Sequence, residues 1–135
     1  MDLFRVEQLH KSIVKKEEHI LWLRSIVDSA KSPQLKKDKI QTSIDVDKMS
    51  RIMCEVVDGE RELEQMKSEY LELQVIVLDK IEQLDSDLHR KILKMKYLDF
   101  KTLVDISNET GYSYDHIKRT HKKALHHYAT ISHLA

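Results

Sequence analysis

A chain of 135 residues holds one domain or two small ones around a limited core. Two glycines, one proline and 34% charged residues suit long helices and exclude a turn-rich β architecture. The charge is balanced, with 23 Lys/Arg against 23 Asp/Glu, so overall basicity is excluded as the source of any nucleic-acid binding. That neutrality hides a division. Residues 1–84 hold 14 Lys/Arg against 17 Asp/Glu, whereas residues 85–135 hold 9 against 6 and six of the eight histidines. The lone cysteine, Cys54, has no partner for an internal disulfide and fits a reducing compartment. No apolar run approaches the roughly 20 residues that cross a bilayer, and the opening MDLFRVEQLHK lacks the pattern of a signal peptide. A cytoplasmic location, away from membranes, is expected.

In chain order, Val6, Leu9, Ile13, Lys16, Ile20, Leu23 and Val27 recur at alternating spacings of 3 and 4, a heptad seam with one polar interruption. Pro33 and a lysine cluster break the pattern, so about 31–45 reads as a loop, with Asp45 or Asp47 available to cap the next helix. The second seam runs Met49, Ile52, Val56, Gly59, Leu63, Met66, Tyr70, Leu73, Val77, Lys80 and Leu84. Asp58-Gly59 is a turn signal, yet the register passes through it without a slip. One continuous helix is therefore expected, with Gly59 admitting a close neighbour. Residues 1–84 thus read as a long antiparallel, coiled-coil-like helical hairpin. Cys54 is expected to pack within the seam region as a small apolar residue.

Residues 85–135 read as a three-helix domain. Asp85-Ser86-Asp87 supplies caps for LHRKILKMKY, whose Leu88, Ile92 and Met95 share one face. After the connector 98–101, Thr102 with Asp105 has the form of a capping box. Gly111 stands where two short helices must turn sharply, Ser113 caps the second, and Ile106 and Ile117 supply the contact between them. The inner stripe of the last helix is Ile117, Thr120, His121, Ala124, Leu125 and Tyr128. Its outer side is Tyr114, Asp115, Lys118, Arg119, Lys122 and, at the edge, Lys123. This is a helix-turn-helix, the arrangement that presents a helix to the DNA major groove.

The run from Arg90 through Ile92-Leu93 and Lys96-Tyr97, then Thr102, Ile106, Gly111-Tyr112-Ser113 and Ala124-Leu125, resembles the fourth conserved region of bacterial sigma factors. The segments KIQTSIDVDKM, VVDGERELEQM and YSYDHIKRTHKKAL extend the likeness over nearly the whole chain. It looks similar to small phage and prophage proteins of Gram-positive bacteria, the ArpU-like transcriptional regulators. Ser107 stands where such sequences often have alanine, and Lys96 where they usually have arginine. The resemblance implies a DNA-binding transcriptional regulator whose recognition helix, 113–128, enters the major groove of double-stranded DNA.

In that docking Tyr114 and His116 lie near base edges, Lys122 and Lys123 meet phosphates, and Lys118 and Arg119 belong to the same DNA-contacting side. Thr102 and Ser113, which open the two helices, complete the expected DNA-contacting set. Asp115 suits the positive end of its helix. The hairpin is expected to form a homodimer or to contact RNA polymerase or another regulator. Two other readings stand beside this one. The first is a modulator that binds protein and not DNA, the second a phage packaging protein. The histidines at 116, 121, 126 and 127 lack the spacing of a metal site, and His121 is expected to pack, hydrogen-bonded, in the core. Cys54 with scattered histidines is no nucleophile constellation, and no glycine loop cradles phosphate. Neither enzymatic activity nor a cofactor is expected.

Overall fold

The computed structural model describes residues 1–30 and 46–134, and all regular structure among them is helical. Helix α1 spans Asp2–Ala30 and α2 spans Val46–Glu82. Helix α3, Asp87–Leu93, continues into a π-helical turn at Lys94–Leu98. Helix α4 is Leu103–Thr110 and α5 is Tyr114–Leu134. The expected loop and its Asp45 lie outside the described residues, and Asp47 falls inside the first turn of α2 and not before it. Helix α2 runs unbroken through Gly59, as the heptad register predicts. Among the described residues no helix is long and apolar enough to cross a membrane.

Packing divides the chain into two compact units, one of residues Met1–Leu9 with Tyr70–Ala135, the other of His10–Glu69. In the second unit Ile20 and Leu23 of α1 bury against Val56 of α2, with Ile52 and Leu63 alongside. A Cβ at Gly59 would sit 3.2 Å from Ile20 Cγ1, so the glycine accommodates a close approach at a helix-propensity cost of about 1 kcal/mol. Lys16 pairs with Glu62 at 2.6 Å, Glu17 with Lys67 at 3.7 Å, and Arg24 with Glu60. Cys54 departs from expectation. It is exposed, because two residues after Ile52 and two before Val56 is the outer side of α2.

The first unit has two cores. Leu3 and Val6 of α1, Leu73, Val77 and Ile81 of α2, Leu93, Tyr97, Ala124 and Tyr128 form the larger. Ile92, Met95, Ile106 and Ile117, with Leu88 and Leu103 packed on them, form the smaller. Helix α3 and its π turn therefore bury two faces. The outer ends of both long helices share a core with the segment 85–135 that was expected to stand as the DNA-binding domain.

Two devices fix α3. Ser86 caps its start by accepting from the His89 N–H at 3.3 Å. The Arg90 guanidinium donates to the Leu84 carbonyl just beyond α2 and pairs with Asp87. At the other end the π turn closes through Asp99 N–H to Lys94 C=O at 3.0 Å. Phe100 then takes a left-handed conformation, φ 58°, unusual for a residue with a side chain.

The Tyr128 hydroxyl is buried in the larger core with no hydrogen-bond partner among the described residues, and burial beside the Asp2 carboxylate pushes its pKa up. An orphaned buried hydroxyl costs on the order of 1–3 kcal/mol. Tyr128→Phe keeps the ring and removes that cost. It is expected to stabilise the chain by about 1 kcal/mol, a rise in Tm of several degrees by calorimetry. A lower Tm would show that the hydroxyl is satisfied.

Candidate nucleic-acid interface

Helix α4 begins with a reciprocal cap. Thr102 Oγ1 accepts from Asp105 N–H at 3.1 Å, while Asp105 Oδ2 accepts from Thr102 N–H at 3.2 Å. The helix ends at Gly111, whose φ of 80° is left-handed and whose N–H donates to Ser107 C=O. Among the described residues nothing beyond its chain neighbours lies within 4 Å of a Cβ placed there, so the need for glycine is a backbone need. Ser107 Oγ donates to the Tyr112 carbonyl at 2.6 Å, clipping the turn from inside. Ser113 Oγ then accepts from His116 N–H at 3.2 Å and opens α5.

The two helices are held together by Ile106 and Ile117, both fully buried. Along α5 the expected inner stripe is realised. Ile117, Thr120, Ala124 and Tyr128 are buried, with His121 and Leu125 half-buried. His121 Nε2 lies 2.9 Å from the Tyr97 hydroxyl, a hydrogen bond in a half-buried setting. Burial, then the Lys96 ammonium, lowers the His121 pKa against the opposing pull of Glu7. Burial, then Glu7, pushes Tyr97 up to about 12.

The outer face is open. Tyr114, Asp115, Lys118, Arg119, Lys122 and Lys123 are all exposed. Among the described residues none of the four cations forms a salt bridge. Arg119 Nε donates only to the Asp115 carbonyl, at 3.4 Å. His116 is half-buried, its ring stacked on Tyr112 with centroids 4.9 Å apart. Tyr112 itself was not singled out as a contact. Its signal was the i, i+4 spacing to His116 across the turn, and the pair makes a stacked aromatic platform at the mouth of α5. The exposed carboxylates nearby are Asp105, held in the cap, Glu109, paired with Lys101 at 2.7 Å, and Asp115. Thr102 and Ser113 both spend their side-chain oxygens as caps. Among the described residues no three His, Cys, Asp or Glu gather closely enough to hold a metal ion.

His121 and His89 give the unit a pH dependence. Burial lowers His89, with His127 and Lys123 adding to it. Both imidazoles thus bind protons less readily folded than unfolded. Below the ordinary histidine pKa of about 6.5 the unfolded chain takes up protons first, so stability falls as pH drops and is flat above. The raised tyrosines act at the other limit, with stability lost as pH climbs past about 10. Urea midpoints at pH 7.5, 6.5 and 5.5 are expected to descend in that order. His121→Gln, which removes the titrating ring, is expected to flatten the descent.

Comparison of the chain with protein-family models, with curated proteins and with solved structures yields no match.

Proposed function

We propose that this protein is a DNA-binding transcriptional regulator of a phage or prophage, acting in the cytoplasm of the bacterial host and without enzymatic activity. In this reading an antiparallel hairpin of α1 and α2 carries a sigma-like helix-turn-helix, and α5 enters the major groove of double-stranded DNA. The observation that carries it is the exposed row Lys118, Arg119, Lys122 and Lys123 on a helix set by a left-handed glycine turn and buried on its other side. Among the described residues these cations have no carboxylate partners, and cations so presented displace the counterions of a phosphate backbone. The Tyr112–His116 platform and Tyr114, at the start of α5, lie where base edges are met. In this reading the exposed Thr102, whose Oγ1 accepts within the cap, keeps its O–H to donate to phosphate.

The hairpin supplies the second half of the device. One helix-turn-helix buries little surface, so affinity needs a second copy or a protein partner such as RNA polymerase. Selection of bound fragments from sheared phage and host DNA tests the reading. Recovery of a shared sequence supports it. Recovery of no sequence above background counts against it.

One observation favours the modulator that binds protein instead. Leu71, Val75 and Leu78 form an exposed apolar row on α2, 62%, 60% and 39% accessible, beside the carboxylates Glu72 and Asp79. Such a row with an acidic border suits a protein surface and repels DNA.

A further inference from the structure

Helix α5 continues past the groove-facing residues into a cluster that capping and core packing do not use. The His127 ring lies 5.2 Å from His89 of α3 and 6.3 Å from His126, centroid to centroid. Lys123, one turn before His127, acts electrostatically on His89. Lys123, His126 and His127 are exposed and His89 is half-buried, with its Nδ1 buried and without a hydrogen-bond partner among the described residues. The charged neighbours that lower the His89 pKa further are the His127 imidazole and the Lys123 ammonium. The neighbouring charges from α3 are Arg90 and Lys91. Asp87, the carboxylate nearest in the chain, is held by Arg90. The His89 and His127 rings and the Lys123 ammonium therefore lie together, with His126 next to His127, and among the described residues no carboxylate pairs with any of them.

We propose that His89, Lys123, His126 and His127 form a phosphodiester-binding site that gains protons when it closes on the nucleic-acid backbone. The inference rests on the DNA-binding reading and adds to it a second contact, C-terminal to the groove-reading residues and bridging α5 to α3. Residues 123, 126 and 127 continue the exposed side of α5 that carries Arg119 and Lys122. At 1.5 Å per residue they lie about 14–20 Å along the helix from Tyr114, far enough to meet backbone flanking the bases read at its start. A phosphate supplies the negative charge that the fold leaves out. An imidazole beside it holds a proton more tightly than the same ring facing Lys123 alone. Burial, with His127 and Lys123 alongside, disfavours the proton on His89 in the free protein, and a bound phosphate opposes that effect.

Binding of the intact chain to a duplex is followed by fluorescence anisotropy at pH 7.5 and 6.0 and constant ionic strength. Proton uptake is read by calorimetry in two buffers of different ionisation enthalpy. Wild type is expected to bind about five- to tenfold more tightly at the lower pH, with net proton uptake, since one linked proton is worth up to tenfold per pH unit. His89→Gln with His127→Gln is expected to abolish most of both effects. His127→Gln alone, at an exposed position, provides the same test should the double variant unfold. Affinity independent of pH in wild type, or a pH response kept in the variants, overturns the proposal while leaving the DNA reading intact. No duplex binding at either pH overturns both.

Discussion

Ile117→Ala is expected to destabilise the chain by about 2–5 kcal/mol, the largest stability effect of any substitution in α4 and α5. Ile117 is fully buried and packs in a core with Ile92, Met95 and Ile106. That core is small, so few neighbours can collapse into the space left by three missing carbons, and the residual cavity adds to the lost transfer energy. It is also the joint between α4 and α5, since the turn at Gly111 fixes their connection but not their separation. The urea midpoint measures the loss, and DNA affinity is expected to fall with it. A cost under about 1 kcal/mol would mean that the larger core alone holds α5 in place.

Arg119→Ala with Lys122→Ala is expected to produce the largest functional effect without touching the fold. Both side chains are exposed and neither forms a salt bridge among the described residues, so far-ultraviolet dichroism and Tm are expected to stay at wild-type values within error. Duplex affinity is expected to drop at least about tenfold. The slope of log affinity against log salt is expected to shrink by about two, one for each phosphate contact removed. A double variant that binds as tightly as wild type sinks the groove-reading role of α5. Tighter retention at high salt than at low would sink the electrostatic basis as well.

Most of the helical framework was legible because its signals are local. The 3-and-4 spacing of Val6 through Val27 and of Met49 through Leu84 marks faces that the structure buries, and the register through Gly59 outweighs a turn dipeptide. The caps at Ser86, Thr102 and Ser113 and the left-handed Gly111 were visible for the same reason, since each needs only residues three or four apart. What escaped was non-local. Leu93 and Tyr97 lie on a second buried face of α3 and its π turn, but Arg90, Lys91, Lys94 and Lys96 surround them and make the segment look singly amphipathic. The π turn and the left-handed Phe100 carry no composition signal, because they follow from closing two cores on one short segment.

For the interface, the polarity of each α5 position followed from its phase on the helix. The half-burial of His116 beneath Tyr112 did not, as it depends on the path of the turn. Cys54 shows the complementary error. Proximity in sequence to Ile52 and Val56 suggested packing, whereas a two-residue offset on a helix points a side chain away from them.

The central claim is that the start of α5 lies against the bases of bound DNA. Photo-cross-linking tests it most directly, with benzoylphenylalanine at position 114 and, as a control, at position 71 on α2, both exposed. Irradiation with the selected duplex is predicted to attach position 114 to a base within the shared sequence and to leave position 71 free of DNA. Absence of a DNA adduct at 114, or equal adducts from 114 and 71, would contradict it.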